Sequence, residues 1–154
     1  MSEPTRKILV TGSGGLIGWH VRVFLSTKPE VEVIPCNRQQ FNDDSYLEDG
    51  VASADAVIHL AGMNRGDEDE IAAANVAIAD RLIDACRKTD SKPQIIYSSS
   101  THADGDSKYG ISKRTAGEHF QAWAEIESAN FCNLILPHVF GEHGKPFYLS
   151  LIHI

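Results

Sequence analysis

Tyr109 and Lys113 stand four residues apart in Tyr-Gly-Ile-Ser-Lys, a spacing that puts both side chains on one face of a helix, one turn apart. A phenol, with an ordinary pKa near ~10, is a poor acid–base group at neutral pH, and a neighbouring ammonium favours its phenolate. Lowering it by about three units takes roughly 4 kcal/mol of differential stabilisation, part of which Lys113 supplies. Just upstream, Ser98-Ser99-Ser100 closes an apolar run, and a hydroxyl there is placed to hydrogen-bond a reacting oxygen. Ser100 is the first candidate. Ser99 and Thr101 remain alternatives, because sequence does not fix register in a run of hydroxyls. Proton exchange at an oxygen is the chemistry this set supports.

A second constellation is built of glycine. Gly12-x-x-Gly15-x-x-Gly18 follows the apolar run KILVT (7–11) directly and leads into helical spacing of apolar residues over 16–25. A glycine at such a turn takes positive φ, one at the helix start lets the backbone approach a pyrophosphate, and a third lets helix pack on strand. The free amides at that helix end, Leu16 and Ile17 among them, then face the phosphate charge. Strand, glycine turn and helix in that order make the signal far stronger than the triplet alone.

These residues need a scaffold, and the apolar periodicity describes one. Strands are expected at 7–11, 31–36, 56–60, 94–98 and 131–136, with helices at 16–25, 71–87 and about 107–129. Ile71, Ile78, Leu82 and Cys86 form the buried stripe of the second helix. Strands alternating with helices of this length imply βαβ units, hence a Rossmann-type doubly wound parallel sheet in three α/β/α layers. Such sheets bind ligands beyond the carboxyl ends of their strands, where the glycines and serines fall. Dinucleotide folds usually carry an acidic residue after the second strand. Here the chain reads Asn37-Arg38 instead, and a guanidinium suits a ribose 2′-phosphate, so NADP(H) is expected in preference to NAD(H). The plain alternative for Arg38 is a solvated loop residue.

TGxxGxxG, then His59-Leu60-Ala61-Gly62 after the third strand, Asn75, the serine triplet and Y-x-x-x-K occur in order. Together they resemble the extended short-chain dehydrogenase/reductases, the NAD-dependent epimerase/dehydratase family, over about residues 7–148. Within it, HLAGMNR (59–65), SSSTHADGDSKYGISK (98–113) and VFGEHGKPFY (139–148) look most like bacterial capsular-polysaccharide reductases of UDP-amino-sugars. The resemblance implies that Ser100 polarises a sugar C4 oxygen, that Tyr109 exchanges its proton, and that Lys113 holds the nicotinamide ribose and tunes Tyr109. It also implies cofactor contacts at Leu60, Ala61, Gly62, Pro137 and His138, a UDP-linked sugar as partner and a homodimeric intact protein. One departure stands out: where the family commonly shows arginine-x-proline-asparagine, this chain reads Ile135-Leu136-Pro137-His138, and His138 fills the asparagine's place. Rival readings are an epimerase or 4,6-dehydratase with tightly bound NAD, a non-catalytic dinucleotide sensor, and an inert fragment. A dehydratase wants acidic residues beside the catalytic hydroxyl, and 98–103 has none; a sensor has no need of the Tyr109–Lys113 pair.

Bulk properties exclude other classes. A formal charge of -7 argues against nucleic acid as partner, and no apolar run approaches a membrane span or a secretory signal, so a cytoplasmic chain without membrane contact is expected. Cys36, Cys86 and Cys132 lie far apart in apolar stretches and read as reduced core thiols. Cys132, His138, His143 and His153 lack zinc-type spacing, and no metal is expected. Arg65-Gly66-Asp67 reads as chance, Glu68-Asp69-Glu70 as an acidic first helical turn, Trp19 and Trp123 as packing residues, and His59 as a packed strand-end residue. Related sequences continue into a sugar-binding region, so a dinucleotide domain at 7–148 lacking most of the C-terminal substrate-binding part is expected, inactive by itself. Residues 2–6 and 149–154 look like two halves of a translated sequencing adaptor, so 1–6 and 149–154 are expected to be non-native and the chain artefactually cut.

Overall fold

The computed structural model describes residues 5–64 and 66–142. Five parallel strands form one sheet: β1 (Arg6–Thr11), β2 (Val31–Cys36), β3 (Ala56–His59), β4 (Gln94–Ser100) and β5 (Phe131–Leu136), in the order β2-β1-β3-β4-β5. The helices are α1 (Leu16–Ser26), α2 (Arg38–Phe41), α3 (Asp44–Ser53), α4 (Glu68–Lys88) and α5 (Lys108–Glu127), with a 3-10 turn, η1, over Thr101–Asp104. From β1 the chain winds outward to β2, then returns past β1 to β3 and on to β5. Right-handed crossovers therefore place α1 on one face and α3, α4 and α5 on the other. This is the Rossmann-like α/β architecture that the alternation of periods implied.

Local chemistry sets the boundaries. Asp67 caps α4 by accepting from the Asp69 and Glu70 amides, and the acidic first turn Glu68–Glu70 meets the positive end of the helix dipole, as expected. Ser107 caps α5 through the Gly110 amide. The core lies beneath α3, α4 and α5, where Leu9, Val57, Ile95 and Tyr97 meet Leu47, Leu82, Phe120 and Trp123. Ile71, Leu82 and Cys86 are buried and Ile78 packs against that core, matching the expected stripe.

Two differences stand out. The periodicity did not reveal α2 and α3: α2 is a single turn held by a capping box between Asn37 and Gln40, and α3 is acidic and glycine-containing, with only Leu47, Gly50 and Val51 buried. The expectation of three core thiols holds for Cys36 and Cys86 but is corrected for Cys132, which is exposed. Its strand, β5, is the sheet edge. Leu134 and Ile135, on opposite faces of β5, are 46% and 52% exposed, whereas a parallel sheet ordinarily covers both faces.

Candidate active site

Because all five strands run the same way, everything that follows a strand end lies along one rim of the sheet. On that rim sit the glycine turn after β1, Arg38 after β2, Leu60–Ala61–Gly62 after β3, the serine triplet closing β4, and Pro137–His138 after β5. The topology thus gathers onto one edge residues as far apart in sequence as Gly12 and His138.

The glycine turn is shaped by close approaches. Gly12 has φ +66°, and a Cβ there would lie 2.8 Å from the Leu60 carbonyl carbon and the Ala61 nitrogen. A Cβ on Gly18 would lie 2.2 Å from the Gly12 carbonyl oxygen, so α1 begins hard against the turn. Gly14, by contrast, faces open space. Gly15 is the N-cap of α1 and offers no side chain to bond the first amides, which leaves the amide end of an eleven-residue helix uncapped by any side chain. Exposed backbone, no Cβ, and a helix start carrying partial positive charge fit a pyrophosphate. The Ser13 amide donates to Cys36 O at 3.2 Å, tying the turn to the end of β2, two residues before Arg38. Arg38 itself is exposed and opens α2.

Thr11 joins this turn to the next strand end. Its Oγ1 accepts from the Leu60 and Ala61 amides, each at 3.2 Å, and lies 2.8 Å from His59 Nδ1. With both lone pairs engaged, the hydroxyl proton goes to Nδ1, which makes His59 a neutral acceptor there. Burial, with the Lys113 ammonium as a second cause, pushes the His59 pKa down to about 3. His59 packs among Phe41, Tyr97 and Phe120 and is the packed strand-end residue expected of it.

The catalytic candidates sit at the other end of the rim. Lys113, 7% exposed, donates from Nζ to Ser98 O at 2.8 Å and lies 4.7 Å from the centre of the Tyr97 ring. A Cβ on Gly62 would be 3.7 Å from Nζ. Burial lowers the Lys113 pKa to about 8, so the group keeps most of its charge at neutral pH while holding it at real desolvation cost. The hydroxyls of the triplet separate in role. Ser98 Oγ donates to His59 O at 3.0 Å. Ser99 Oγ is buried without a hydrogen-bond partner among the described residues and lines a groove of about 440 Å³ between α5 and β5. Ser100 Oγ accepts from the His102 amide at 3.2 Å, which leaves its own proton free to donate. Thr101 is exposed. Tyr109 is partly buried in the first turn of α5, its ring 6.1 Å from that of His102, and His102 is 5.6 Å from His138.

Sequence reasoning gave no role to three contributors, although Asn75 was among the residues that carry the family resemblance. Thr11 ties two strand ends together, Asn75 holds the Met63 amide and carbonyl at 2.7 and 2.9 Å and donates to Ser112 Oγ, and His102 adjoins Tyr109. Asn75 left a trace, a polar residue on the buried side of an otherwise apolar helix. Thr11 and His102 left none, since their partners lie far away in sequence or across a turn. Among the described residues no three His, Cys, Asp or Glu side chains are grouped to hold a metal, and no helix is long and apolar enough to cross a membrane. His143, His153, Arg65 and the expected adaptor-like ends lie outside the described residues or largely so.

A parallel sheet with a glycine-lined helix start at its rim, and a tyrosine–lysine pair further along, defines a dinucleotide-binding enzyme class. The chain belongs to the NAD dependent epimerase/dehydratase family, whose model matches residues 8–153. It is 33% identical over 147 residues to a UDP-2-acetamido-2,6-beta-L-arabino-hexul-4-ose reductase of Pseudomonas aeruginosa, covering 95% of this chain and 39% of that protein. It is also similar to the capsular polysaccharide assembling protein CapF of Staphylococcus aureus, with a TM-score of 0.77, 31% identity, and coverage of 94% of this chain and 39% of the other. A UDP-N-acetylglucosamine 4-epimerase of Bacillus cereus shares the fold with a TM-score of 0.78 at 22% identity, over 94% of this chain and 62% of that one. The chain therefore spans about two-fifths of the length of the curated relative it matches.

Proposed function

We propose that this chain is the dinucleotide-binding part of an NADP(H)-preferring oxidoreductase that reduces or oxidises C4 of a UDP-linked amino sugar. The bound nicotinamide supplies or accepts the hydride. Gly12, Gly15 and Gly18 with the Leu16 and Ile17 amides hold the pyrophosphate, Arg38 pairs with the ribose 2′-phosphate, and Leu60, Ala61 and Gly62 floor the path towards Lys113. Lys113 holds the nicotinamide ribose and keeps a positive charge beside Tyr109. Tyr109 moves a proton to or from the sugar oxygen, Ser100 donates to that same oxygen, and Pro137 and His138 close the nicotinamide end. Substrate class follows the names of the two relatives at or above 30% identity, a UDP-sugar reductase and a capsular polysaccharide protein. The intact protein is a homodimer in this reading.

The observation that carries it is the buried ammonium of Lys113, held by Ser98 O beside Gly62 at the rim that also bears the open glycine turn. An uncompensated charge of that kind is kept where a ligand or reaction uses it. A titration of the chain with NADPH and NADH tests it. NADPH binds more tightly, and Arg38→Ala removes roughly tenfold to hundredfold of NADPH affinity while sparing NADH, the scale of one to two charge-assisted hydrogen bonds. Hydride transfer to a UDP-linked 4-keto amino sugar is then measured in the longest natural gene product that carries these residues, where Tyr109→Phe costs about 10²–10⁴ in rate. Failure to bind either dinucleotide overturns the reading.

A further inference from the structure

We infer that His102 and His138 form a two-imidazole proton path between solvent and Tyr109, an inference that rests on Tyr109 being the proton-exchanging group. The geometry is built rather than incidental. Ser100 Oγ caps η1 through the His102 amide at 3.2 Å. Gly110, directly after Tyr109, lets the first turn of α5 sit against η1: a Cβ there would be 2.0 Å from His102 O. Those two contacts fix the His102 backbone beside Tyr109, and the rings meet edge to face with centroids 6.1 Å apart. On its other side His102 meets His138, again edge to face, at 5.6 Å. Both histidines are exposed, while Tyr109 is only partly so.

The chemistry needs such a path. When Tyr109 gives its proton to a substrate oxygen, its O–H bond breaks, the oxygen gains an O–H bond, and a phenolate is left that must be reprotonated before the next turnover. Lys113 is held away from solvent, its Nζ buried and donating to Ser98 O, so a path that opens outward needs other groups. Imidazole is the side chain that exchanges protons freely near neutral pH. The His102 ring lies against the Tyr109 ring with centroids 6.1 Å apart, and His138 lies 5.6 Å beyond it on the exposed side. In reduction the proton passes from water to His138, to His102, and to the Tyr109 oxygen; in oxidation the order reverses. The ionisable groups on the elements packed around His102 are Asp104 on its own turn, Lys108, Tyr109, Lys113 and Arg114 on α5, and His138 after β5. Arg114 is occupied with the carbonyls of Ala103 and Gly105. His102 and His138 act through Tyr109 and are positioning residues in that sense.

The test is a pH titration by NMR of this chain with labelled histidine and tyrosine rings, alongside NADPH binding by the same samples. The proposal expects Tyr109 ring carbons to show an inflection at the His102 midpoint. It also expects His138→Asn to shift that midpoint by several tenths of a pH unit and His102→Gln to abolish the inflection. Ring contact alone would move the Tyr109 shifts with His102 but leave the exchange of the Tyr109 hydroxyl proton with solvent unchanged, whereas the proton path expects His102→Gln to slow that exchange. Independent titration of the three rings in the unsubstituted chain, with NADPH still bound, overturns the proton path and leaves the reductase reading intact. Loss of NADPH binding by the unsubstituted chain overturns both.

Discussion

Lys113 and His59 share one buried neighbourhood, and burial lowers the pKa of both. For Lys113 the folded pKa, about 8, lies below the ordinary 10.5, so the folded chain binds this proton less readily than the unfolded one. Stability therefore rises as pH climbs from about 8 towards 10.5, and at pH 7 the chain bears the desolvation cost, up to about 3 kcal/mol. Lys113→Met is expected to raise the melting temperature of the ligand-free chain at pH 7 while abolishing hydride transfer in the catalytically competent protein; thermal melts at pH 7 and pH 10 check it, the gain shrinking at the higher pH. His59 is likewise depressed, from 6.5 to about 3. Its contribution is complete above pH 6.5 and is lost as pH falls towards 3. Acid unfolding should accordingly be shallower in His59→Asn, which keeps an acceptor for the Thr11 hydroxyl, when followed by circular dichroism from pH 7 to pH 3.

At the scale of elements, close backbone approach does the positioning. Alanine ordinarily stabilises a helix over glycine by up to about 1 kcal/mol. Gly110→Ala should do the reverse and destabilise by about 1–3 kcal/mol, because its Cβ would meet His102 O at 2.0 Å and drive η1 from α5. Urea unfolding reads the sign directly. What was legible in sequence follows the same physics. The strands β1 to β5 showed themselves as short apolar runs and the helices α1, α4 and α5 by the helical spacing of their apolar residues, and the glycine turn by glycine at the fixed offsets that its φ and its contacts demand. The helices α2 and α3 did not, since a capping box and three buried residues leave no period to read. The same holds at the site: Tyr109 and Lys113 were legible as a helical pair, whereas Thr11 and His102 matter through partners that only the fold supplies. Cys132 was misread because an apolar strand sequence does not reveal that its strand is the sheet edge.

Across the whole molecule, the parallel winding places every functional candidate on one rim, so that a single extended ligand can touch the glycine turn and the Tyr109–Lys113 pair together. Thr11 and Lys113 mark the two ends of that reach, linked through Leu60, Ala61 and Gly62. The most direct measurement is amide and side-chain NMR of the chain as NADPH is added. Shifts that saturate with one common dissociation constant at the Gly12–Gly18 amides, at Lys113 and at the Tyr109 ring are expected. Shifts confined to the glycine turn, with Lys113 and Tyr109 unmoved at saturation, would contradict the account.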